Sequence, residues 1–73
     1  MPRYVVTTRR DARAGGAAPT ALAAAASEPG VTVVQSSDPH MVTIEASPEA
    51  AERLKRKLGA THIVEPEVRR SLH

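Results

Sequence analysis

The residue pattern predicts an α+β sandwich in the order β-α-β-β-α-β, a four-stranded antiparallel sheet with two helices on one face. Three observations point there. Four short runs are rich in β-branched residues, two alanine-rich or charged stretches have helix caps, and proline or glycine separates most of them.

The first strand is "RYVVTTR", residues 3–9, with the chain's single aromatic, Tyr4. "RDARAGGAA" reads as a loop centred on Gly15 and Gly16. Residues 19–30, "PTALAAAASEPG", read as a short helix. Pro19 suits its first position, alanine is the best helix former, and Pro29-Gly30 ends it. Leu22 is its only large apolar residue, and Ala23 and Ala26 are expected beside it in the core.

"VTVVQ", residues 31–35, and "MVTIEA", residues 41–46, are the second and third strands. The turn cluster "SSDPH" joins them into an antiparallel hairpin. Val42, Ile44 and Ala46 alternate onto one face. "SPEAAERLKRKLGA" is the clearest helix. Ser47 is its N-cap, Pro48 its first residue, and Glu49 suits its positive end. Ala50, Ala51, Leu54 and Leu58 form one apolar stripe, Glu52 and Arg56 are spaced as an ion pair, and Gly59 suits a left-handed stop. "THIVE", residues 61–65, is the fourth strand. Two β-α-β halves in this order give the split, ferredoxin-like sandwich, which hosts many unrelated functions.

The 73 residues allow one domain, read as residues 1–68 followed by an extended tail, 69–73. There is no cysteine, so no disulfide framework and no thiolate metal site. Much of the apolar content is alanine, so the core is expected to be weak and to gain from a partner. The net charge is +2, with basic clusters at Arg9, Arg10 and Arg13, at Arg53, Lys55, Arg56 and Lys57, and at Arg69 and Arg70. The plain reading of such clusters is solvated faces. No apolar run reaches the roughly 18 residues of a membrane span. No signal peptide is legible at Met1, and a cytoplasmic location is expected.

The residue types carry little catalytic chemistry. His40, His62 and His73 have no metal-ligand spacing and read as surface or strand histidines. The serines read as caps and turns, and "AGGAA" is no phosphate loop. A non-enzymatic protein without a cofactor is expected. An RNA-binding sheet needs aromatic stacking platforms, and Tyr4 alone does not supply one, which argues against nucleic acid.

The segment "SPEAAERLKRKLGATHIVEPEVRRSLH" resembles the inhibitor I9 family, the propeptide domains of subtilisin-like serine proteases and their free-standing inhibitor relatives. A Ser-capped helix, a short loop and an apolar strand running into Glu65-Pro66-Glu67 carry the likeness. The "YVV" strand and the "Gly-x-Val" strand extend it loosely over nearly the whole chain. The resemblance implies the same fold and a role in inhibiting or chaperoning a subtilisin-like protease. It implies that Glu65 and Glu67 accept hydrogen bonds at the N-termini of two protease helices. The tail would pair in the substrate cleft, with Arg70, Ser71, Leu72 and His73 in the non-primed subsites. Many subtilisins prefer an apolar residue where Arg70 stands, and His73 is an unusual terminal residue, so both bear on which protease is bound. The alternative is an I9-like structural or regulatory subunit of a larger intracellular assembly, with weak nucleic-acid binding a third option.

Overall fold

The computed structural model describes residues 2–16 and 18–67. In chain order its elements are β1 (Arg3–Thr8), α1 (Arg10–Gly15), α2 (Ala21–Ala26), β2 (Val31–Asp38), β3 (Met41–Ala46), α3 (Pro48–Leu58) and β4 (His62–Pro66). The strands form one sheet in the order β2-β3-β1-β4, and every neighbouring pair is antiparallel. It follows that β1 and β2 run parallel with β3 between them, and β3 and β4 run parallel with β1 between them. These are two split β-α-β units, as the pattern of elements predicts.

The period of two along each strand divides the sheet into a covered and an open face. Val6, Val42, Ile44, Ala46 and Val64 point to the covered face. There they meet Ala21 and Ala25 of α2 and Ala50 and Leu54 of α3. Tyr4, Leu22, Val31, Val33 and Leu58 pack around this cluster. The core contains four alanines out of nine residues, which lets α2 lie close to the sheet but limits the apolar area removed from water.

The caps explain the helix boundaries. Thr20 Oγ1 accepts from the Ala23 N–H at 3.1 Å, and Ser47 Oγ from the Ala50 N–H at 3.2 Å. Thr20 is therefore the N-cap of α2, and Pro19 lies one residue before it rather than in the first turn. Pro48 does occupy the first turn of α3. In α2 the buried residues are Ala21, Ala24 and Ala25, while Leu22 is half-buried and Ala23 and Ala26 are exposed. A helix with alanine at every position but Leu22 has no stripe of large apolar residues to fix its rotation, so the close approach of backbone to sheet fixes it instead.

Other expectations are corrected in detail. The stretch after β1 is not a loop: residues 10–15 form α1, and Gly16, at φ 68°, ends it with a left-handed cap whose N–H donates to the Arg13 carbonyl. Gly59 ends α3 in ordinary right-handed geometry. β2 continues through Asp38, with register irregularities between Val33 and Gln35 and between Gln35 and Asp38. The turn proper is only Pro39 and His40, tightened by the Asp38 carboxylate accepting from the His40 N–H at 2.9 Å. The bulged stretch leaves Val34 exposed on this edge strand.

Glu52 and Arg56 do not pair. The neighbouring positions on α3 do the electrostatic work instead. Arg53 Nε lies 3.5 Å and Lys57 Nζ 3.0 Å from the two carboxylate oxygens of Glu28, which is only 6% exposed. This links the end of α2 to α3. Among the described residues no helix is long and apolar enough to cross a membrane.

Candidate protein-docking face

Among the described residues no element covers the face of the sheet away from the helices, and the strand registers order it in three levels. At one level Thr7 lies between Met41 of β3 and Ile63 of β4. At the next, Val5 lies between Thr43 and Glu65. At the third, Arg3 pairs with Glu45, and the Glu67 N–H donates to the Arg3 carbonyl at 2.9 Å, which carries the ladder one step past β4. Met41 is 53% and Ile63 36% exposed. Val5, Thr7, Met41, Ile63, Glu65, Pro66 and Glu67 line one shallow depression.

One end of this face is acidic. Glu65 is exposed, Glu67 is half-buried, and Glu45 holds Arg3 in an ion pair at 3.4 Å. Glu65 and Glu67, the two acidic residues singled out in the sequence, thus share one depression and one face. Arg70, Ser71, Leu72 and His73 lie outside the described residues, as does the boundary after residue 68.

The other end is basic: it is the Arg9, Arg10 and Arg13 cluster of the sequence, whose place beside the open face the sequence pattern did not reveal. α1 buries none of its residues, and it sets Arg10 and Arg13 beside Arg9, Thr7, Thr8 and Ile63 around a second depression. Thr7 and Ile63 line both depressions, so the two are continuous. Arg9 Nε donates to the Gly59 carbonyl at 3.2 Å, which anchors that guanidinium against the end of α3.

His40 and His62 build structure. His62 is 1% exposed, and its Nε2 donates to the Pro19 carbonyl at 3.0 Å while Nδ1 meets Thr61 Oγ1 at 2.7 Å. A carbonyl only accepts, so the proton is on Nε2. His62 is thus a strand residue, as expected, and a buried tie between β4 and the entry to α2. His40 Nδ1 meets Thr8 Oγ1 at 3.2 Å. Thr8 Oγ1 also accepts from the Ala21 N–H at 3.1 Å, so one buried hydroxyl gathers β1, the hairpin turn and the start of α2. Among the described residues no three histidine, cysteine or acidic side chains gather as a metal site. Every buried side-chain nitrogen and oxygen described has a partner.

Glu28 is the buried charge that sequence reading passed over. The Lys57 hydrogen bond lowers its pKa below the ordinary carboxylate value. Burial opposes that effect, and the Lys57 charge and Arg53 reinforce it. Comparison with protein-family models, with curated proteins and with solved structures returned no match.

Proposed function

We propose that this chain is a non-enzymatic binding protein that inhibits or escorts a subtilisin-like serine protease, docking through its open sheet face and extending its C-terminal residues into the substrate cleft. The observation that supports this reading most is the open face itself. An apolar band of Val5, Met41 and Ile63 leads to Glu65 and Glu67, at the end of the sheet where the chain leaves β4. Carboxylates there suit the positive N-termini of helices on a partner, and the band beside them suits their apolar sides. The alanine-rich core fits a domain that gains stability from a partner. The same reading includes the cytoplasmic location expected from the sequence.

The test is an inhibition series on a panel of subtilisin-type proteases, with the full chain, a variant lacking Leu72 and His73, and the double variant Glu65→Ala with Glu67→Ala. The full chain should inhibit at least one protease competitively. The double variant should bind about tenfold more weakly with unchanged circular dichroism, because a carboxylate at a helix N-terminus contributes about 0.3–1 kcal/mol. Equal inhibition by the truncated chain and the full chain would rule out insertion of the tail. No inhibition anywhere in the panel would leave the alternative of a subunit in a larger assembly.

A further inference from the structure

The basic end of the open face has no role in the reading above, and its layout is specific. Arg10 and Arg13 are exposed and take part in none of the ion pairs among the described residues, which join Arg3 to Glu45 and Arg53 and Lys57 to Glu28. Asp11 is the one acidic residue on α1, and it does not line the depression. Among the described residues none of the three guanidinium groups beside the exposed Ile63 has an acidic partner, and that of Arg9 donates to the Gly59 carbonyl. Along β1, Arg9 lies four residues beyond Val5, which pairs with Glu65, so the basic and acidic ends are about 13 Å apart at ~3.3 Å per residue. A single partner surface spans that distance.

The ligand chemistry follows from the residue types. Guanidinium forks match carboxylate or phosphate oxygens in pairs. Nucleic acid would add base stacking, but Tyr4 packs against the core on the covered face, so the open face has no aromatic platform. A polypeptide carboxylate fits better, because the arginines adjoin the exposed apolar side chains of Ile63 and Met41, and protein interfaces combine apolar contacts with a polar rim.

We propose that the sheet face is a two-ended docking surface whose basic end, formed by Arg9, Arg10 and Arg13, receives an Asp- or Glu-bearing segment of the protein partner whose helix N-termini meet Glu65 and Glu67. The identity of that partner as a protease rests on the function proposed above, whereas its acidic chemistry at this end rests on the charge layout. Opposite charges at the two ends allow one orientation of docking and disfavour the reverse, in which like charges would meet.

The experiment is a titration of the full, isotopically labelled chain with a hexaglutamate peptide, followed by amide chemical shifts. Hexaglutamate should shift Thr7, Arg9, Arg10, Arg13 and Ile63, and the effect should fade as ionic strength rises from about 0.02 to about 0.3 M. Arg10→Glu with Arg13→Glu should abolish the shifts and keep the circular dichroism, since α1 buries no residue. Shifts confined to Lys55, Arg56 and Lys57 on α3, or no shifts, would overturn the proposal. So would tighter binding of a hexauridine oligonucleotide at the same arginines. Where the wild-type chain inhibits a protease, the double reversal should weaken inhibition about tenfold by losing complementary charge, and unchanged inhibition counts against the proposal. Where no protease is inhibited, the protease reading falls, and the peptide titration still decides the basic end.

Discussion

At the residue scale, two buried polar groups, Thr8 and Glu28, tie α2 to the rest of the structure. Thr8 is 4% exposed, and its hydroxyl satisfies the Ala21 N–H at the mouth of α2. Thr8→Val keeps the shape and removes the acceptor, so a buried N–H loses its partner at a cost of about 1–3 kcal/mol. A urea midpoint equal to wild type would show that water replaces the hydroxyl. Glu28 acts through pH. Its folded pKa is lowered, so the stability it contributes is fully present above the ordinary carboxylate pKa and is lost as pH falls through the folded value. Glu28→Gln should therefore destabilise the chain at neutral pH, and the gap from wild type should close as the solution is acidified below about pH 4. Thermal melts across that range check this, and a gap independent of pH would refute it.

At the element scale, α1 shows how a short helix is set by its ends. Six residues without an apolar stripe give no period to read, and Gly15-Gly16 suggests a loop; in the folded chain Gly16 is the stop. Gly16→Ala would force a side chain into left-handed geometry at about 1–2 kcal/mol, although nothing lies within 4 Å of the added carbon. Gly15→Ala, also in open space but within the helix, should favour α1 by up to about 1 kcal/mol. Backbone chemical shifts of Arg10 to Ala14 would report opposite changes in helicity, and shifts in the same direction would remove the cap from the account. The contrast marks what the sequence made legible. The β-branched runs of β1, β3 and β4 and the capped stripe of α3 were readable because period and cap agree. The rotation of α2 was not, because alanine at nearly every position leaves packing distance to decide it. Glu65 could be placed on the open face from its alternation with Val64. The basic end could not, because it depends on where a six-residue helix lies relative to the sheet.

At the scale of the whole molecule, stability rests on few large side chains, and Leu54 is the one that α3 buries fully, 1% exposed at the centre of the cluster. Leu22 of α2 and Leu58 of α3 are only half-buried, and the other core residues on both helices are alanines. Leu54→Ala removes the main apolar anchor of α3 and leaves a cavity, at a cost of about 2–5 kcal/mol. A single core of this size supplies little more than about 3–5 kcal/mol in total, so the variant should lack a cooperative thermal transition at room temperature, whereas Leu22→Ala should keep one. A partner that binds only the folded chain shifts this balance by mass action, by about 2.7 kcal/mol at a hundredfold excess over its Kd. Leu54→Ala should then recover its amide dispersion when an excess of the true partner is added. Recovery would follow even if the partner were no protease, because the rescue depends on selective binding to the folded state and not on the chemistry of the target. A sharp, wild-type-like melt of Leu54→Ala alone would mean that the alanine contacts between α2, α3 and the sheet carry the fold without it.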